Sequence, residues 1–221
     1  SADDCLLHAL PVFHVHGLFV ALGCVFMRGA SMRWLPKFDI ASVMQNLAHS
    51  TVMMGVPTYY TRLLAEPSFD AASCETVRLF ISGSAPLLAD TFIEFEQRTG
   101  KTILERYGMT ETGMNTSNPL HGERRAGTVG FPLPGVSLRI AGPDGTEVAQ
   151  GEVGDIQVKG ANVFSGYWKM PDKTAEDFTE DGFFVTGDKG QIDTDGYVAI
   201  VGRAKDMVIS GGLNVYPKEI E

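Results

Sequence analysis

Between residues 77 and 105 the chain runs strand, helix, strand with very short joints. The apolar run Val77-Arg78-Leu79-Phe80-Ile81 passes through Ser82-Gly83-Ser84-Ala85-Pro86 into an amphipathic stretch over 87–98, which Gly100 closes, and then into Thr102-Ile103-Leu104-Glu105. Strands joined this way lie parallel, because a parallel neighbour requires a crossover whereas an antiparallel one needs only a hairpin. The same grammar stands upstream. Thr51-Val52-Met53-Met54-Gly55 reads as a buried strand, and Pro57 opens a helix over 58–66, in the first turn where proline is tolerated. The first half is therefore expected to be α/β, a largely parallel sheet with covering helices.

From about Ala126 the punctuation changes. Asp144-Gly145, Asp181-Gly182 and Asp195-Gly196 each sit beside strand-like runs, among them 136–140, 156–158 and 197–201. Asp-Gly between β-formers signals a hairpin, since both central residues must accept positive φ. One helix interrupts, opened by Pro171 and running to Phe178. The expectation is an α/β subdomain over 1–125 followed by a mostly antiparallel β subdomain over 126–204, a small barrel or distorted sheet.

Composition excludes several classes of function. With 221 residues, 44% apolar and 20% charged, the chain has the balance of a globular protein with a real core, not of a disordered one. Lys plus Arg number 18 against 27 Asp plus Glu, and a net charge of −9 suits neither nonspecific nucleic-acid binding nor an anionic membrane surface. The longest apolar stretch, 17–27, falls short of the ~20 residues a membrane span needs. Cys5, Cys24 and Cys74 are odd in number and widely spaced, which argues against a disulfide framework or zinc site and fits a reducing, cytoplasmic setting. The start, Ser-Ala-Asp-Asp, lacks the basic region of a signal peptide. A start without Met and an end at Pro217-Lys218-Glu219-Ile220-Glu221, which reads as a helix opening, are what a piece of a longer chain would show.

In open parallel sheets ligands sit beyond the carboxyl ends of the strands, and two segments fall there. Ser82 to Pro86 has small residues that let a flat ligand or phosphate approach the backbone; it reads equally as an ordinary strand-to-helix turn. Arg106-Tyr107-Gly108-Met109-Thr110-Glu111, following the strand at 102–105, offers an aromatic face, a hydroxyl donor and a carboxylate able to hold Mg²⁺ against a polyphosphate. Its alternative is a loop with Tyr107 in the core and Glu111 in water. Thr186-Gly187-Asp188 and Gly202-Arg203 end two further strands. An acceptor-only carboxylate suits vicinal hydroxyls and Arg suits a phosphate, while each also reads as a turn with a surface charge. His14 and His16, two apart, share one face if on a strand. No further ligands stand at metal spacing, so they read as partly buried histidines lining a pocket.

Taken in order, Pro11-Val12-Phe13-His14-Val15-His16-Gly17-Leu18, Ser82 to Pro86, Tyr107 to Glu111, Gly166-Tyr167-Trp168, Thr186-Gly187-Asp188, and Gly202-Arg203 through Gly211-Gly212 to Glu221 resemble the acyl-adenylate-forming superfamily. The wording around Phe38, 104–111, Asn115-Thr116-Ser117-Asn118 and 214–219 is most similar to the malonyl-CoA synthetases. That resemblance implies a two-step ligation, in which a carboxylate takes AMP from Mg-ATP and CoA then displaces the AMP. Its partners are small molecules: a carboxylic acid, ATP and CoA. It implies that Ser84, Ala85 and Pro86 line the adenine site with Tyr107 against the base and Gly108 beside it, that Thr110 meets the α-phosphate, and that Glu111 holds Mg²⁺. Asp188 would take the ribose hydroxyls, Arg203 ribose or phosphate oxygens, and His14 would sit near the acyl carboxylate.

The resemblance also makes 205–221 a hinge and the start of a second, smaller domain. Lys205 stands at the hinge, where many members carry Asp, and Gly211 and Gly212 line the pantetheine tunnel. An upstream Ser/Thr/Gly-rich phosphate loop and a C-terminal adenylation lysine have no counterpart in these 221 residues, so this chain alone is expected to be inactive. A dicarboxylate substrate would need a cation for its second carboxylate. Arg62, Arg78 and Arg106 are the candidates, Arg62 and Arg106 preferred, with Ser84 and His16 as neutral donors. Arg62 also reads as a solvated helix residue and Arg78 as the partner of a surface acid. Other readings stay open: a different acyl-CoA ligase, an adenylation domain that loads a carrier protein, or a non-enzymatic nucleotide-binding module.

Overall fold

The computed structural model describes residues 1–206 and, beyond them, the backbone of two short paired strands, Val208–Ser210 and Leu213–Val215. Strands β1 (Cys5–His8), β2 (Ser31–Trp34), β3 (Val52–Gly55), β4 (Leu79–Ser82) and β5 (Ile103–Met109) pair parallel in the order β2-β1-β3-β4-β5. Two further strands, β6 (Gly113–Ser117) and β7 (Phe131–Pro132), extend the β5 edge antiparallel.

Residues alternate along these strands, and both sets are apolar. Leu7, Met53, Phe80 and Ile103 pack with α2 (Ile40–Leu47), α3 (Pro57–Leu64) and α4 (Ala89–Thr99) through Val43, Leu47, Tyr60, Leu63, Phe92 and Phe95. Leu6, Val52, Met54, Leu79, Ile81 and Leu104 form a second layer with Val20 and Ala21 of a π-helix, His16–Leu22, and Val25 of α1 (Gly23–Arg28). Strands apolar on both faces are what a sheet between two layers requires. The helix ends follow local chemistry. The Asp39 carboxylate accepts from Ser42 N–H at 2.9 Å to cap α2. Pro57 opens α3, and Gly100, at φ +69°, closes α4 by donating to the Glu96 carbonyl. Helix α4 starts two residues later than its periodicity suggests, because Leu88 is extended and Leu87 N–H is held by the Glu105 carboxylate at 2.8 Å.

One sequence expectation is corrected here. Residues 106–109 are not a loop: β5 runs on to Met109 and turns into β6 through 110–112. The hairpin closes because Gly108 has no side chain; a Cβ there would lie 2.0 Å from the Gly113 carbonyl oxygen.

The second half is antiparallel, as its Asp-Gly punctuation suggests. Strands β8 (Val136–Ala141), β9 (Gly154–Gly160), β10 (Phe184–Ile192) and β11 (Val198–Arg203) form one sheet in the order β11-β10-β9-β8. The described strands make a distorted open sheet, not a barrel. Gly145, Gly182 and Gly196 all take positive φ at the expected turns. The single helix, α5, spans Pro171–Glu176. Its core gathers Ile140, Ile156, Val158, Phe184 and Val198, and Tyr107 from β5 is part of it. Arg125 ties the link between the sheets to the β10–β11 turn, pairing with Asp193 and Asp195 and lying 4.2 Å over the Tyr197 ring. The three cysteines are free thiols. Among the described residues no helix is long and apolar enough to cross a membrane.

Candidate active site

A cavity of about 330 Å³ opens where the parallel strands end, between the two sheets. Ser84, Ala85, Pro86, Tyr107, Gly108, Asp188 and Arg203 all line it, together with Glu105, Arg106 and Asp206. Residues up to 122 positions apart in the sequence therefore meet in one place.

The floor from the α/β side is the segment after β4. Ser84 is held at φ +72°, a left-handed conformation that costs a non-glycine residue, and its Oγ lies 3.1 Å from His16 Nδ1. Beneath it Glu105, buried at the end of the apolar run of β5, fixes the segment through Leu87 N–H.

The opposite wall comes from β10. Pairing with β9 breaks between Val185 and Lys189, and pairing with β11 shifts between Lys189 and Gly190. Gly187 takes φ +74° in this bulge. Thr186 Oγ1 donates to the Ile156 carbonyl at 2.8 Å and accepts from Asp188 N–H at 3.1 Å, so the bulge is closed by its own side chain. The result buries the Asp188 carboxylate, which accepts from Tyr107 Oη at 2.6 Å and pairs with Arg203 Nε at 3.1 Å. Burial raises the Asp188 pKa, while the Tyr107 hydroxyl and Arg203 oppose that shift. Tyr107 is pushed far upward, first by burial and then by the adjacent carboxylate, so it acts as a neutral donor. Both readings of Tyr107 hold together: its ring is core and its hydroxyl reaches the cleft.

Thr110 and Glu111 stand in the β5–β6 turn outside that lining set. Thr110 is exposed; Glu111 is half-buried, its carbonyl accepting from Phe164 N–H at 2.7 Å and its Oε1 from Tyr167 Oη at 3.2 Å.

The histidines are not on a strand, which corrects the shared-face expectation. His14 lies in the turn before the π-helix, exposed and against the Phe13 ring at 4.5 Å, while His16 begins the π-helix and is buried. His16 is turned inward on the first turn of the π-helix, while His14 stays outside in the segment that precedes it. Burial and then the Arg106 charge lower the His16 pKa to about 4. Arg106 borders both the cleft and a larger apolar cavity of about 540 Å³ on the π-helix side of the sheet. Its Nε is buried with no hydrogen-bond partner, and burial lowers its pKa. Arg62 lies elsewhere, exposed on α3 with its guanidinium 4.8 Å over the Phe38 ring; it lines neither cavity. Arg78 pairs with Asp4 at 2.5 Å. Lys205 is exposed in the 3₁₀ turn Ala204–Asp206, and Gly211 and Gly212 lie outside the described residues.

Two residues take part in the site through contacts that their local sequence does not announce. Glu105 could have been suspected as an acid closing an otherwise apolar strand run. Tyr167 carries no local signal for its contact, because its partner Glu111 is 56 positions away.

The AMP-binding enzyme family model matches residues 1–168. The chain is 42% identical over 242 residues to the malonate–CoA ligase of Arabidopsis thaliana, covering 100% of this chain and 39% of that protein. The ATP-bound MatB of Rhodopseudomonas palustris superposes with a TM-score of 0.98 at 58% identity, over 100% of this chain and 44% of the other. A malonyl-CoA ligase solved as a ternary product complex with methylmalonyl-CoA and AMP gives 0.86 at 45% identity, over 100% and 49%. The chain thus spans less than half the length of these relatives. With three quarters of its residues inside the family model, the chain belongs to the AMP-binding enzyme family.

Proposed function

We propose that the complete protein is an acid–CoA ligase for a small dicarboxylic acid, malonate or methylmalonate. In the first step a substrate carboxylate oxygen bonds to the α-phosphorus of ATP and the bond to pyrophosphate breaks. In the second, the CoA sulfur bonds to the acyl carbon, AMP leaves, and the thiol proton is released. A carboxylate resists thiols until its oxygen becomes part of a phosphate leaving group, so the protein's work is positioning and charge neutralisation.

In this reading the Ser84 to Pro86 segment and Tyr107 flank the adenine, Asp188 accepts from the ribose hydroxyls, and Arg203 turns from Asp188 toward ribose or phosphate oxygens. Thr110 donates to the α-phosphate. Lys205 serves the hinge and Gly211 and Gly212 the pantetheine path. Glu111 suits Mg²⁺: it is a hard, half-buried carboxylate with no cationic partner among the described residues, leaving room for phosphate oxygens and water. The bound ion would neutralise charge on the polyphosphate.

The observation that carries the dicarboxylate is Arg106. Arg106 is half-buried, with its Nε fully buried and unpartnered, and a guanidinium withdrawn from water without an anion is costly. Arg106 stands beside the neutral His16–Ser84 pair on the wall between the cleft and the apolar cavity, where a second carboxylate would relieve that cost. The names of the relatives favour the same substrate class. Acid-dependent ATP–pyrophosphate exchange by the complete protein tests this with malonate, methylmalonate, acetate and a medium-chain acid. Exchange should favour the dicarboxylates, and Arg106→Leu should lower it about a hundredfold, the ~3 kcal/mol of a broken buried charge pair. Exchange led by acetate or the medium-chain acid would discard malonate.

A further inference from the structure

The loop over 160–168, which follows β9, belongs to the β region, yet its contacts converge on the turn that carries Glu111. Phe164 N–H donates to the Glu111 carbonyl at 2.7 Å. Asn162 Nδ2 donates to the Thr112 carbonyl at 2.9 Å and lies 3.2 Å from Asn115 Oδ1. Tyr167 Oη reaches the Glu111 carboxylate itself at 3.2 Å. The Tyr167 ring is set edge-on to Phe164, with centroids 4.8 Å apart, and its N–H is held by Thr174 Oγ1 at 2.9 Å. A tyrosine fixed at its ring and its backbone has little freedom left at its hydroxyl.

We propose that Tyr167 is a positioning residue that fixes the rotamer of the Glu111 carboxylate, so that the β region sets the metal-binding geometry of a turn made by the α/β region. The inference rests on the ligase reading of the site. One oxygen, Oε1, is engaged by the phenol, and the carboxylate presents the other to a cation without losing side-chain freedom at the moment of binding. Pre-setting one hard oxygen ligand matters for Mg²⁺, which tolerates little departure from octahedral geometry.

The test measures ATP affinity of the complete protein by calorimetry, once with Mg²⁺ and once with EDTA, and takes the ratio as the metal's contribution. Tyr167→Phe keeps the ring packing and removes only the hydroxyl. It should lower that ratio about five- to tenfold, the worth of one ordinary hydrogen bond, while affinity for metal-free ATP stays unchanged. Glu111→Gln should abolish the metal's contribution, and the double variant should be no worse than Glu111→Gln, because Tyr167 acts through that carboxylate. An unchanged ratio in Tyr167→Phe, with wild type and Glu111→Gln behaving as stated, overturns the inference and leaves the ligase reading standing. Losses that multiply in the double variant overturn it too, since they make Tyr167 independent of Glu111. A wild-type protein that binds no ATP, or gains nothing from Mg²⁺, overturns the reading of the site and this inference with it.

Discussion

In the parallel sheet, the residues that reach the cleft stand where strands run out: Ser84 after β4, and Glu105 to Gly108 on the outer part of β5. In the antiparallel sheet, Asp188 stands in the middle of its strand, and it reaches the cleft only because pairing fails around it. The first device depends on topology and close packing, the second on a local departure from regular backbone. The two sides therefore tolerate different substitutions. Where glycine is needed for space, an added methyl meets fixed backbone; where it is needed for conformation, the methyl meets nothing but its own strain.

Gly108→Ala should produce the largest effect, because its Cβ would meet the Gly113 carbonyl oxygen at 2.0 Å and only backbone atoms around it. A loss of about 3 kcal/mol in denaturant unfolding is expected. A loss below about 1 kcal/mol would show slack in the β5–β6 hairpin and erase the contrast between the regions.

His16 comes next, and the effect is confined to acid. Its folded pKa of about 4 lies below the ordinary 6.5, so the unfolded chain binds the proton first as pH falls. Its contribution is full above about 6.5 and is lost between there and about 4, up to roughly 3 kcal/mol. His16→Gln should flatten that part of the stability–pH curve, leaving the smaller slope of buried His8, whose pKa is also lowered by burial. A variant curve that overlays wild type would remove His16 from the acid response.

Asp188→Asn separates the position supplied by the bulge from its charge. ATP affinity of the complete protein should fall about ten- to thirtyfold, the worth of a charged hydrogen-bond acceptor. Unfolding near neutral pH should be no easier than in wild type. Burial raises the Asp188 pKa, so its anion lowers stability as pH rises through that value, and Asn removes this. Unchanged ATP affinity would take Asp188 out of the nucleotide site.

Gly187→Ala is the smallest. Its φ of +74° disfavours a side chain, but nothing lies within 4 Å of the added Cβ. About 1 kcal/mol is expected, from backbone strain alone. A cost as large as that of Gly108→Ala would mean the bulge, too, is closed by packing.

The legible part of this molecule was local. Pro57 and Gly100 mark helix ends at the positions the structure uses, and three Asp-Gly pairs mark turns with positive φ at their glycines. The residues expected on the nucleotide side stand in short motifs, and seven of them line one cleft. The less legible part was whatever depended on phase. His14 and His16 looked like neighbours on a strand face, but the π-helix begins at His16 and leaves His14 in the turn before it. Residues 106–109 looked like a loop because Gly108 interrupts the β pattern, and it does so to let another strand in.

The order of strands and helices, the parallel character of the first sheet and the antiparallel character of the second all follow from periodicity and turn chemistry, which are properties of a few adjacent residues. The inward turn of His16, the separation of half-buried Arg106 from exposed Arg62, the seating of the Tyr107 ring in the core of the other sheet and the reach of Tyr167 to Glu111 do not. Each depends on the register and packing of segments far apart in sequence, and a pattern read one window at a time carries no information about which distant surface will meet it.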